Sequence, residues 1–221
     1  MKREAVLSIL AASALLGQAG SATWKEFSIG PPTRNQSGFS AYGIRAEGVY
    51  LKRALARAYG LPEHRIIGPD WLETERYAIT GQVENPADFK PLFQQELTAR
   101  FHMVAHLETR EVPVYVLKTI DGGAIRSASG DAGGRGLTGS FKMPHATVAA
   151  FAAFLSDYIQ RPVFDETGMD GNFDFSLSWN KGNPAALQEA VKQQLGLQLA
   201  DDKRSVELLI VEHIEKLQFP K

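Results

Sequence analysis

A stretch too rich in glycine to hold a helix or a packed strand divides this chain into two segments, and the apolar residues of the two recur in the same order. The stretch runs from Asp121 to Ser140 and reads as a linker or long loop. Before it, Leu51, Ala54, Leu55 and Ala58 have the i, i+3, i+4, i+7 spacing of an amphipathic helix. Val148, Phe151, Ala152 and Leu155 have the same spacing 97 positions later. Tyr77 and Ile79 alternate as a strand does, and Phe173, Phe175 and Leu177 repeat that pattern at an offset of 96. A second helix is marked by Phe93, Leu97 and Phe101 and answered by Leu187, Val191 and Leu195 at an offset of 94. The buried-looking strand Val112 to Leu117 has its counterpart in Val206 to Val211, again 94 on.

Four elements in one order at nearly one offset predict an internal duplication. The expected fold class is α+β, with two similar units over residues 23–120 and 141–221. Each unit would pack two helices on a mostly antiparallel sheet closed by a β-hairpin. The first hairpin would join Phe101–Leu107 to Val112–Leu117 around Glu108 to Glu111. The second would join Leu197–Ala200 to Val206–Ile214 around Asp201 to Arg204. His102 and His106 both fall on a strand in this reading.

Residues 1–22 predict the compartment. Lys2 and Arg3 precede the apolar run Ala5–Leu16, and Gln18 to Ala22 supplies small residues for a signal peptidase. The run is shorter than the roughly 20 residues that span a bilayer, so export with cleavage after Ala22 is expected. No later segment reads as a membrane span. The chain has no cysteine, which rules out a disulfide framework, a thiolate nucleophile and a cysteine zinc site. Its net charge is −1; Lys2, Arg3 and Glu4 carry +1 of that, which leaves −2 on the remainder. Basic residues are scattered, so nothing builds the field that nucleic acid or an anionic membrane surface requires.

No cofactor or metal site is expected. The Gly133-Gly134-Arg135-Gly136 run lacks the Gly-Lys-Ser/Thr of a phosphate loop. On a strand, His102 and His106 would stand about 13 Å apart, too far for one metal ion. Asp170 to Asp174 opens like a calcium loop, but Phe175 and Lys181 stand where that loop needs Gly and Glu. No Gly-x-Ser-x-Gly elbow occurs, and Ser127 and Ser129 lie in the glycine stretch. The surface candidates for binding are Trp71 together with His106, Glu108 and Arg110, which alternate onto one strand face. Trp71 and Trp179 each read first as packing residues.

Several of these stretches also carry a family resemblance. They are Phe27 to Pro31, Gly68-Pro69-Asp70-Trp71-Leu72, Arg76 to Ile79, His106 to Tyr115, Arg161 to Gly168 and Gly171 to Phe175. Together they resemble the soil-associated family, an uncharacterised family of exported proteins expanded in some soil bacteria. The resemblance implies an exported protein of unknown function. Some members look like the outer region of membrane-embedded sensor metallopeptidases, whose peptidase part this chain lacks. The helix around Val148 to Leu155, followed by Pro162-Val163, is also similar to the short N-terminal modules of secretins and TonB-dependent receptors. That similarity implies protein contacts in the envelope. The expected function is a non-catalytic envelope or extracellular module binding a protein or small ligand. The alternative is a secreted hydrolase with a site assembled from sequence-distant residues.

Overall fold

The computed structural model describes residues 22–120, 138–180 and 185–219. The apolar N-terminal run and residues 121–137 of the glycine stretch, with Ser127, Ser129 and Gly133 to Gly136, lie outside them. The first segment contains strands β1 (Trp24–Gly30), β2 (Ser37–Ser40) and β3 (Gly43–Tyr50), helix α1 (Leu51–Tyr59), strands β4 (Ile66–Ile67) and β5 (Arg76–Val83), helix α2 (Pro86–Arg100) and strand β6 (Val104–Thr119). The second contains β7 (Thr138–Ala146), α3 (Val148–Ile159), β8 (Val163–Asp165), β9 (Phe173–Asn180), α4 (Ala186–Leu195) and β10 (Leu197–His213). The last three residues of the expected linker, Thr138 to Ser140, are therefore strand.

The helices form where the apolar stripes fall and stop where the backbone provides a cap. Asn85 accepts a hydrogen bond from the Ala87 N–H ahead of Pro86, and Thr147 does the same for Ala150. Gly196, at φ 69°, ends α4 and turns the chain straight into β10. Every stripe residue expected on α1 and α3 is buried, as are Phe93, Leu97, Phe101, Leu187, Val191 and Leu195.

The strands form three open sheets, and the fold is α+β. One is antiparallel, in the order β1-β5-β3-β2; one is mixed, β4-β10-β6-β8; and β7 pairs antiparallel with β9. The first core lies between the β1-β5-β3-β2 sheet and helices α1 and α2. The second is built from α3, α4, β7 and β9.

The two expected hairpins do not exist. β6 is one continuous strand, and β10 pairs with it antiparallel from Leu197 opposite Thr119 to His213 opposite Val104. Glu108 to Glu111 and Asp201 to Arg204 are not turns but the middle of this ribbon. The polar runs that imitate turns mark where the ribbon leaves one core before it enters the other. At that point Thr109, Glu111, Lys203, Ser205 and Glu207 are all exposed. The odd-numbered face meets water here, and Glu108, Arg110, Asp202 and Arg204 put charge on the even-numbered face as well, so no regular apolar alternation announces the strand. His102 is not on the strand either; at φ 45° it forms the turn between α2 and β6.

The ribbon serves both cores. Leu209, Val211 and Ile214 of the second segment complete the first core, and Leu117 of the first segment completes the second. Each short strand flanks the ribbon beside the other segment's strand. β4 runs parallel to β10 at Leu209–Ile210, and β8 runs parallel to β6 at Tyr115–Leu117.

Candidate interaction surface

Side chains alternate across a strand, and directly opposed residues share a face. The register of the ribbon therefore sorts its residues by number. Odd-numbered residues face the cores: Ala105, Leu209 and Val211 at one end, Leu117, Leu197 and Leu199 at the other. Even-numbered residues form the opposite face. There Val114, Val206 and Leu208 are buried in a third cluster with Val112, Phe164 and Ile210, and no helical residue joins it among the described residues. Ile67, opposite Ile210 on β4, continues the strip outward and is exposed.

Charged pairs flank this strip at both ends. Arg110 donates from Nε to Glu108 Oε1 (2.6 Å) and from Nη2 to Glu108 Oε2 (2.7 Å). His106 Nε2 stands 3.4 Å from Glu108, and its Nδ1 3.5 Å from Glu212. The fork from Arg110 holds the Glu108 carboxyl below its ordinary range, and His106 adds to the effect. At the other end Arg204 donates from Nε to Asp202 (2.7 Å) and also bonds Glu166. Glu166 follows β8 on the far side of β6, so the Arg204 side chain lies across the strip between them. Lys118 stands 3.6 Å from the same Glu166.

Three of the four residues expected from sequence are thus brought together: His106, Glu108 and Arg110 form one chain of contacts on this face. Trp71 is not with them. It sits in a short 3-10 turn, Asp70–Glu73, half-buried against the first core, with Lys216 5.3 Å above its ring. The Asp202–Arg204–Glu166 cluster was missed. Its signal was the same carboxylate-x-Arg alternation as in Glu108-Thr109-Arg110, hidden by the expected turn. Arg161 was also missed as a site residue. It lies 3.8 Å over the Tyr115 ring and donates to the Val114 carbonyl (2.7 Å) and to Asp201 (2.8 Å).

A second concave region lies between α1 and the end of α3. This cleft of about 490 Å³ is lined by Arg53, Arg57, Glu63, Asp157 and Gln160, with Phe39 at one side. Next to the lining residue Glu63, His64 has its side chain 1% exposed and its Nδ1 3.6 Å from Asp157 Oδ1, beyond hydrogen-bond length. Neither ring nitrogen has a hydrogen-bond partner among the described residues. Burial pushes the His64 pKa down and that of Glu63 up. Among the described residues no three His, Cys, Asp or Glu side chains are grouped to hold a metal ion. No described helix is long and apolar enough to cross a membrane.

The strip is thus covered by side chains rather than by a helix among the described residues, and it is rimmed by charged hydrogen-bonding groups. No curated protein and no solved structure matches the chain. A family model covers residues 52–214, so the chain belongs to the family described as a protein of unknown function, DUF3738.

Proposed function

We propose that this chain is an exported, non-catalytic binding module of the cell envelope or extracellular space, and that it engages a protein partner through the even-numbered face of the β6–β10 ribbon. One observation carries the reading: the even-numbered face has no helix over it among the described residues and presents exposed Ile67, His106, Arg110 and Glu212 around its side-chain-covered apolar strip, while the odd-numbered face enters both cores. The sequence of residues 1–22 supports export. The resemblance to a soil-bacterial family of exported proteins agrees with it.

The two segments are read as copies of one unit. Support comes from the ribbon register: Glu111 and Ser205, 94 apart in sequence, stand directly opposite each other. The crossed pairings of β4 with β10 and β8 with β6 relate to one another in the same way. Experimental coordinates in which α1 and α2 fail to overlie α3 and α4 would remove this part of the proposal.

A hydrolase reading would centre on the cleft, where Glu63, His64 and Asp157 meet from distant parts of the chain. The burial of the His64 ring keeps it from touching a substrate, so the binding reading is preferred.

The test places a photo-crosslinking residue at Lys118 or Glu212, both exposed on the even-numbered face, and at Gln95 on α2 as a control. Discrete adducts with envelope or extracellular proteins are expected from the ribbon positions and not from Gln95. Equal labelling at all three, or none at the ribbon, would refute the assignment.

A further inference from the structure

Both outer edges of the ribbon run past the short strands that flank them, and on β6 the uncovered residues complement themselves. Tyr115 N–H donates to the Pro162 carbonyl (2.8 Å), and the Leu117 carbonyl accepts from Glu166 N–H (2.9 Å). The backbone groups of odd-numbered β6 residues therefore point away from β10, toward β8. Beyond the three residues that β8 covers, no described strand pairs with this edge. Ala105, Leu107, Thr109 and Glu111 are left with their N–H and C=O groups outward, and Pro113, with no N–H, closes the row. Val104 is 53% exposed and Leu107 51%.

We propose that this edge pairs antiparallel with the same edge of a second copy of this chain, about a two-fold axis at Thr109. The open row from Ala105 to Pro113 is centred on Thr109, so that register uses its whole length. It sets odd residues opposite odd residues, as outward-facing backbone groups require to exchange hydrogen bonds. Thr109 meets its own copy, and Leu107 meets Glu111 of the other chain. On the even-numbered face Glu108 then stands opposite Arg110 of the other chain, twice across the axis. Those two residues already bind each other within one chain, and pairing would join the two forks into a ring of four alternating charges. A register centred on Glu111 would oppose two like charges. One centred on Leu107 would leave Glu111 and Pro113 unpaired.

The corresponding edge of β10 is also free of a described strand over its middle, but it is interrupted at its centre. Its Lys203 N–H, which parity also turns outward, donates to Asp202 Oδ1 (2.8 Å). Glu108 has both oxygens committed to Arg110 and makes no such bond to Thr109. This inference is independent of the partner proposed for the sheet face, since it concerns the strand edge and a self-contact.

The experiment measures the mass of the purified protein by sedimentation across a concentration series. A dimer that dissociates on dilution is expected. Thr109→Pro removes an outward N–H and leaves the β6–β10 bonds intact, so it is expected to be a folded monomer by circular dichroism, whereas Lys203→Pro, which removes an N–H already bonded to Asp202, still dimerises. Glu108→Arg alone and Arg110→Glu alone each set like charges opposite one another and should weaken association roughly tenfold. Mixing those two variants restores both attractive pairs and should recover a heterodimer, a result that does not depend on how Thr109→Pro folds. The proposal is overturned if the wild-type protein stays monomeric throughout, if Lys203→Pro rather than Thr109→Pro dissolves the dimer, or if the mixed charge variants associate no better than either alone.

Discussion

Truncating Leu209 tests whether the ribbon makes one folding unit of the two cores. Leu209 belongs to the second segment by sequence but is fully buried in the first core, level with Ile66 on β4 and Leu107 on β6. Leu209→Ala removes three carbons, a transfer loss of about 2.4 kcal/mol at about 0.8 kcal/mol per buried methylene. The cavity adds to this, so a total of about 3–4 kcal/mol is expected, inside the 2–5 range for such truncations. With a urea m-value of about 2–3 kcal/mol/M, the midpoint falls by about 1–2 M. The tryptophans allow the two cores to be watched separately. Trp71 packs against the first core, and Trp179 is buried in the second. Single-tryptophan variants retaining one or the other should show coincident urea transitions, and Leu209→Ala should move both by the same amount. Leu209 is not among the residues of the second core, which it reaches through the ribbon and the contact of residues 63–65 with α3. A Trp179 transition left in place while that of Trp71 shifts would therefore refute the claim that β6 and β10 bind the cores into one cooperative unit.

Three further outcomes are expected. His64 is held below its ordinary pKa chiefly by burial, with Arg65 and Lys52 pushing the same way and Asp157 opposing. The unfolded chain therefore binds a proton that the folded chain refuses, so His64's contribution is complete above the ordinary histidine value of about 6.5 and is lost as pH falls through the depressed folded value. Melting curves from neutral to mildly acid pH should show a decline that His64→Leu flattens; an unchanged slope would contradict this. Ser156→Ala should cost about 1–3 kcal/mol by denaturant titration, because Ser156 Oγ accepts from the buried Val163 N–H (2.8 Å) and ties α3 to β8. Arg161→Met should cost about 1–2 kcal/mol in the same assay, through loss of the stack on Tyr115 and the bond to the Val114 carbonyl, and a neutral result would show that the stack contributes nothing.

What could be read from the sequence divides along physical lines. The helix stripes were legible because each helix is covered on one side only, so its burial follows the helical period. Leu51, Ala54, Leu55 and Ala58 and their counterparts Val148, Phe151, Ala152 and Leu155 are all buried. In the first sheet β5 was legible from the alternation of Tyr77 and Ile79, but β1, β2 and β3 were not. β1 has no regular alternation of burial, and β3 buries small residues such as Ala46 and Gly48 that carry little apolar signal. The grouping of His106, Glu108 and Arg110 was legible because a period of two needs no knowledge of a neighbour. The other end of the face was not, since Asp202, Arg204 and Glu166 meet only once β8 and β10 lie on opposite sides of β6. Pairing partners far apart in sequence leave no local mark.

The misread hairpins show why the surface lies where it does. A hairpin at Glu108–Glu111 would have folded each unit's last strand back onto its own core, and each unit could then have closed alone. A continuous strand passes out of one core and supplies Leu117 to the other, while β10 returns Leu209 and Val211 in exchange. The cores sit at the two ends of the ribbon's odd-numbered face, so the middle of that face meets water, while the apolar residues of the even-numbered face are covered by side chains alone, that of Arg204 among them. Polar residues are needed there for solubility, and charge on an exposed strand also discourages indiscriminate edge pairing. Glu108, Arg110, Asp202 and Arg204 meet that requirement in matched pairs. Matched pairs repel a like-charged strand and lose hydration against an uncharged one, but accept one carrying the complementary order. The sharing of strands that joins the two cores thus also places these two matched pairs, one from each segment, along a single continuous ribbon.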